Sequence, residues 1–209
     1  MGCAPDVPLQ RLQSFLGLVY ERGVKSEAGV VHLPSEEQVW RLRDGDLDLG
    51  LFHDTADGTG LERERIYRGE PIVAVVSLGH RAAGSETVRL QDLAGDVLLV
   101  VRRSAEPGLH ERVITAATSD GVPFHAIREA PGPDIRDLLF AVASGHGVTL
   151  APRSVLRCVG DLGAAVVTRP LQAPAMMPDT IVAWPIQVRH ELTSVYASAR
   201  SVARHLYRF

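Results

Sequence analysis

Leu33-Pro34-Ser35-Glu36-Glu37-Gln38-Val39-Trp40-Arg41-Leu42-Arg43-Asp44-Gly45-Asp46-Leu47-Asp48-Leu49-Gly50-Leu51-Phe52 reads as a helix delivered straight into a strand. Pro34-Ser35 is a helix start. The Ser35 hydroxyl is placed to cap free N–H groups, and Gln38 stands three residues on, as in a capping box. The helix buries Val39 and Leu42, with Trp40 as a further apolar candidate. It stops at Asp44-Gly45, where glycine takes the left-handed conformation. Leu47 to Phe52 follows as a strand.

Upstream, Leu9, Leu12, Leu16, Val19 and Tyr20 fall on one stripe of a helix over 8–22, and Val30 to Leu33 is a short buried strand. Strand, helix, strand, helix, strand is the mark of a parallel sheet covered by helices. Downstream, 54–60 is a loop. Leu61 to Arg68 alternates like a sheet edge, its Glu62-Arg63-Glu64-Arg65 run an exposed face, and Pro71 to Ser77 is apolar like a buried strand.

A second unit begins after Gly79-His80. It predicts a turn at 91–95, a strand over 97–101, a helix over 109–119 and a strand over 124–129. Asp134 starts a helix with Ile135, Leu138, Leu139 and Val142 on one face, which stops at Gly145-His146-Gly147. A strand over 148–151, a short helix from Val155, a proline-rich loop over 169–178 and a strand over 180–184 follow. The last helix carries Leu192, Val195, Tyr196, Ala199, Val202, Ala203 and Leu206 on one face. The same grammar runs through 1–77 and again through 97–168, as two similar lobes require.

Composition narrows the function classes. The 209 residues are 45% hydrophobic and 22% charged, with a net charge of -3, so no basic surface announces nucleic-acid binding. Cys3 and Cys158 provide neither metal-ligand spacing nor a disulfide framework and read as small buried residues in a reducing cytosol. The longest apolar run, at Ile72 to Leu78, is far short of the roughly 20 residues of a membrane span. The N-terminus lacks the pattern of a secretory signal. A soluble cytoplasmic protein is expected, with no metal and no cofactor.

Four motifs in order resemble the effector domains of LysR-type transcription regulators. Leu42-Arg43-Asp44-Gly45-Asp46-Leu47-Asp48-Leu49-Gly50 is similar to L-x-x-G-x-L-D-L-G. Glu70 to Val76 with His80 and Ala82 looks like the family's strand and His-Pro-Leu-Ala turn, with Arg81 replacing proline, so a looser turn is expected. Val88, Leu90 and Asp92-Leu93-Ala94 match its short helix. Val142-Ala143-Ser144-Gly145-His146-Gly147-Val148-Thr149-Leu150-Ala151-Pro152 is close to V-A-x-G-x-G-I-x-L-x-P.

The resemblance implies an α/β, two-lobed type 2 periplasmic-binding-protein-like fold, each lobe a mixed sheet flanked by helices. Residues 1–77 plus 168–209 make lobe I and 78–167 lobe II, with the effector in the inter-lobe cleft. It also implies a homodimer, a tetramer in the full-length protein, paired through helix 8–22 and the partner's helix 109–119. DNA is contacted only through an N-terminal helix-turn-helix domain, which this sequence does not contain. The chain is therefore expected to be an excised or truncated piece.

In such folds ligands lie where strands end and helices begin, because free N–H groups and helix dipoles point there. The candidates are Asp6 and Val7, Ser35, His53, then Arg102, Arg103 and Ser104, and the Pro133-Asp134 helix start. Ser35 serves as a cap, an effector contact, or both, and by motif position it resembles a serine or threonine that touches effector in relatives. His53 either reaches a carboxylate that raises its pKa or is a surface loop histidine beside Asp54. Arg102 and Arg103 are either carboxylate grips or solvated loop arginines, with strand alternation directing only one inward. Asp6 is favoured at a helix N-terminus but repels an anionic ligand. His146 and Asp48 read as structural.

Two other functions compete. A transport solute-binding protein has the same fold but needs a signal peptide. An enzyme needs a nucleophile elbow, a metal cluster or a phosphate loop, and the sequence shows none of these. No catalytic residue is assigned.

Overall fold

The computed structural model describes residues 1–24, 29–54, 57–119, 121–132, 134–154, 165–187 and 189–208. The chain begins with strand β1 (Gly2–Cys3), helix α1 (Leu9–Glu21), β2 (Val31–His32), α2 (Ser35–Asp44), β3 (Gly50–His53) and β4 (Leu61–Tyr67). It continues with β5 (Ile72–Ser77), a 3-10 turn over Leu90–Leu93, β6 (Val97–Val100), α3 (Pro107–Thr118), β7 (Ala126–Glu129), α4 (Ile135–Ala143), β8 (Thr149–Pro152) and β9 (Val166–Pro170). It closes with β10 (Thr180–Pro185) and α5 (Thr193–Leu206).

These elements form two compact units, Met1–Gly69 with Pro178–Phe209, and Glu70–Met177. The units change over at 69/70 and 177/178 rather than at 77/78 and 167/168. The reason is pairing: β5 lies between β8 and β9, so it and β9 belong to the second unit.

Unit 1 is a five-stranded mixed sheet in the order β2-β1-β3-β10-β4. β1 pairs parallel with β2 and β3, and β10 runs antiparallel to both β3 and β4. Unit 2 orders β8-β5-β9 antiparallel and β6-β7 parallel. A parallel bridge at Leu98–Val148 brings β6 to the start of β8. Strand by strand, unit 2 repeats unit 1: three strands of a βαβαβ run, then two antiparallel ones. In unit 1 the antiparallel strand beside that run, β10, is reached only after the chain has left and returned, whereas in unit 2 that strand, β5, precedes the run in the same segment.

Each unit has its own core. Phe15, Leu42, Leu51, Phe52, Ile66 and Trp184 anchor unit 1, where Trp184 stacks on Tyr196 with centroids 5.9 Å apart. Ile72, Leu93, Leu98, Leu138, Leu139 and Leu150 anchor unit 2. Each fully buried side chain of this size removes about 2 kcal/mol worth of apolar surface from water.

Several local expectations are corrected. Phe15 with Leu12 and Val19 makes the buried face of α1, while Leu9, 61% exposed, and Tyr20 face outward. Trp40 on α2 is likewise exposed. The strand expected as buried over Val30–Leu33 is the exposed pair Val31–His32, because it lies at the sheet edge. Ser35 is the first residue of α2 after an N-cap at Pro34, and no side chain caps that end. Gln38 is fully buried and spends its amide elsewhere: Nε2 donates to Leu33 O at 2.8 Å and Oε1 accepts from Leu51 N at 3.1 Å.

Other readings hold. Gly45 ends α2 with φ of 81° in the left-handed region. β4 is an edge strand with alternating burial, and β5 is buried almost throughout. On β4, Glu62 and Glu64 pair with Arg200 and Arg204 of α5, while Arg63 and Arg65 turn toward Asp54. The turn after β5 is not loosened by Arg81, whose guanidinium donates to both Asp96 carboxylate oxygens and to the Asp92 and Ala94 carbonyls. Cys3 is buried; Cys158 and the helix expected from Val155 lie outside the described residues.

Candidate functional site

In unit 1, the C-terminal ends of the parallel strands bring two of the expected residues together. Asp6 follows β1 and His53 closes β3, neighbouring strands paired in parallel, so both side chains emerge at one end of the sheet. His53 Nε2 lies 3.3 Å from Asp6 Oδ2, with only 7% and 10% of the two side chains exposed. His53 Nδ1 is 3.2 Å from the carbonyl oxygen of Pro178, just before β10. His53 is therefore no surface loop residue.

Asp6 Oδ2 and the Pro178 carbonyl oxygen are both acceptors. A neutral imidazole has one N–H, so only the doubly protonated ring satisfies both. Burial of His53 works against the charged form, but the Asp6 charge and contact and the Pro178 carbonyl outweigh it, and the nearby Arg11 charge opposes them only weakly. The net effect raises the His53 pKa.

Arg11, in the first turn of α1, was not singled out by the sequence. Its guanidinium donates to Thr180 Oγ1 and to Arg68 O, both at 3.4 Å, and stands 5.1 Å from the centre of the Tyr67 ring. Its partner Thr180 is 169 residues away, so no local pattern announces it. Val7 is a core residue rather than a lining one. Ser35 is half-buried at the start of α2, its neighbours in the first turn being Glu36 and Glu37.

In unit 2, the candidates are largely engaged in holding loops. Arg102 Nε donates to Ala130 O at 3.2 Å and Nη2 to Pro131 O, strapping the segment after β6 to the segment after β7. Arg103 is exposed and pairs with Glu111 at 2.8 Å, while its backbone N–H donates to Glu129 Oε1 at 3.0 Å. Ser104 is exposed. Asp134 is the N-cap of α4, its Oδ1 accepting from Arg136 N at 2.8 Å. Pro133 lies outside the described residues. Among the described residues, no three His, Cys, Asp or Glu side chains are grouped to hold a metal ion, and no helix is long and apolar enough to cross a membrane.

The strand ends of unit 1 therefore carry a buried acid–imidazole pair with an arginine nearby. The Asp6 charge is not presented bare: His53 neutralises it, and Arg11 adds a further half-buried cation. These partners offset the repulsion that Asp6 alone would exert on an anion.

Comparison with known proteins bears on the fold and the family. HTH-type transcriptional regulator AlsR of Bacillus subtilis (strain 168) is 25% identical over 122 residues, which cover 58% of this chain and 39% of that protein. The chain thus spans well under half of that relative's length. Among solved structures, HinK, a LysR family transcriptional regulator from Pseudomonas aeruginosa, superposes with a TM-score of 0.79 at 20% identity, covering 100% of this chain and 70% of that one. The BenM effector binding domain, solved with its effector benzoate, superposes with a TM-score of 0.75 at 17% identity, covering 98% and 92%. Residues 1–197 match the family of the LysR substrate binding domain. With nearly the whole chain matched, this chain belongs to the LysR substrate binding domain family.

Proposed function

We propose that the chain is the effector-sensing part of a LysR-type transcription regulator, that it performs no chemistry on its ligand, and that a small metabolite binds beside Asp6 and His53 at the strand ends of unit 1. The observation that carries this reading is the gathering of the largely buried Asp6 and His53 with the half-buried Arg11 at the strand ends of a substrate-binding-domain fold. Proteins rarely bury such groups without use, since desolvation costs several kcal/mol per ion. AlsR and HinK are transcriptional regulators, and the BenM effector binding domain was solved with its effector benzoate, a small carboxylate.

On this reading DNA is contacted only through a separate domain. The protein works in the cytoplasm as a homodimer. The outward Leu9 and Tyr20 on α1 support pairing through that helix. Monomers alone in light scattering at micromolar concentration would remove the dimer from the proposal.

The test is a thermal-shift screen against small carboxylates, including benzoate, and small amines. A ligand that binds only the folded state raises Tm by mass action, about 2.7 kcal/mol at a hundredfold excess over Kd. The shift should be reduced in Asp6→Asn and in Arg11→Gln. A hit whose shift is identical in both variants would place the ligand elsewhere and sink the site.

A further inference from the structure

The residues by which the chain leaves and re-enters unit 1 are tied directly to the candidate site. Arg68-Gly69 is the exit and Pro178-Asp179 the return. Arg11 holds the exit through Arg68 O, and His53 holds the return through Pro178 O. The two segments are also tied to each other, since Gly69 N donates to Asp179 Oδ1 at 2.9 Å. Asp179 is fixed further: its carbonyl accepts from Asp54 N at 2.8 Å, the residue after His53, and its Oδ2 accepts from Tyr207 OH at 2.9 Å. One cluster thus spans α1, β3, both crossover segments and the end of α5.

We infer that His53 is a proton-gated latch: doubly protonated, it clamps Asp6 to Pro178, and loss of one proton releases the return crossover from the site. Asp6 Oδ2 and Pro178 O can only accept, so the ring needs two N–H groups to hold both. A neutral ring with its proton on Nδ1 turns a lone pair toward the Asp6 carboxylate. With its proton on Nε2, it leaves the Pro178 carbonyl without that donor. Either way one tie is lost.

The other charged groups around the ring set the midpoint but do not replace the latch. Asp6, after β1, favours the charged ring, and Arg11, on α1, opposes it. Asp54 is held by Arg63 at 2.9 Å, and Asp179 by Gly69, Tyr207 and, at 3.6 Å, Arg65. The Cys3 thiol, also near Asp6, stays neutral because burial and the Asp6 charge push its pKa up to about 12. Asp6 and the Pro178 carbonyl hold the proton loss of His53 above the ordinary histidine range. Its regulatory meaning rests on the effector reading above: an effector that binds Asp6 competes with the ring and acts on the crossover as deprotonation does.

The experiment is an NMR titration of the whole chain, following the His53 ring nitrogens and the exchange protection factors of the Gly69 and Asp54 amides. The expected result is a ring midpoint above 6.5, with protection at both amides falling about fivefold or more through that midpoint. In His53→Gln the fall should vanish. In Asp6→Asn, which keeps the ring, the midpoint should drop and the fall in protection should move with it. Protection that stays flat while His53 titrates, or a fall in Asp6→Asn that ignores the displaced midpoint, would overturn the latch. Because none of these readouts needs a ligand, a silent thermal-shift screen would remove the effector reading and leave the latch standing.

Discussion

The side-chain oxygen of Gln38, on α2, accepts the backbone N–H of Leu51, on β3, at 3.1 Å, deep in unit 1. The same amide donates to Leu33 O at 2.8 Å, so one buried side chain ties the end of β2 to the middle of β3. Gln38→Leu keeps the volume and orphans both backbone groups. The expected loss is about 2–6 kcal/mol, about one to three for each of the two groups left unsatisfied. Urea unfolding of wild type and variant measures it, and a loss under about 0.5 kcal/mol would mean that water satisfies these groups instead.

Gly50 lies against the same amide. A Cβ there would stand 2.8 Å from Phe52 Cε1, 2.9 Å from Gln38 Oε1 and 3.0 Å from Leu42 Cδ1. Gly50→Ala should therefore destabilise by about 1–3 kcal/mol through overpacking. Pairing it with Gln38→Ala, which removes one of the three obstacles, should recover part of that loss as a non-additive term. Strict additivity in a double-mutant cycle would contradict the geometry.

The Cys3 thiol should be inert in the folded state. It is fully buried, and its pKa of about 12 leaves almost no thiolate at neutral pH. In a Cys158→Ser background, thiol labelling at pH 8 should run about a hundredfold slower than in urea-unfolded chain, because it waits for opening. Rapid labelling of native protein would show that β1 opens readily.

Asp134 caps α4, and its pKa is lowered by the Arg136 side chain first and by the Arg136 backbone N–H second. A carboxylate held below its unfolded pKa contributes stability above that unfolded value and loses it as pH falls through the folded one. Asp134→Ala should cost about 1 kcal/mol at pH 7 and Asp134→Asn less, since asparagine also caps. Melting curves from pH 7 down to pH 2 should show the wild-type advantage over Asp134→Ala shrinking at the acid end. An advantage that persists unchanged to pH 2 would mean that the charge plays no part.

Much of the fold was legible because periodicity is local. The stripe of α5, the apolar run of β5, the alternation of β4 and the capping position of Asp134 each follow from neighbours within a few residues. The misreadings share one cause. Ser35 looked like a cap because serine followed by glutamine three residues on usually is one, but the sheet below needed Gln38 more than the helix end did. Leu9, Tyr20 and Trp40 counted as core because they are apolar, although solvent or a partner faces them. Val31–His32 seemed buried because nothing nearby in sequence says which strand ends up at an edge.

Sequence alone settled the class of fold, its two repeated α/β runs and the strand ends where Asp6 and His53 would stand, since all of these depend on side-chain period and on turn chemistry. Only folding decided that Asp6 and His53 meet, that Thr180 receives Arg11 from 169 residues away, and that the return crossover supplies the acceptor at Pro178. Those contacts are made by chain segments that a crossover carries apart in sequence and a sheet sets side by side. No local pattern can encode a distance that exists only after the strands have paired.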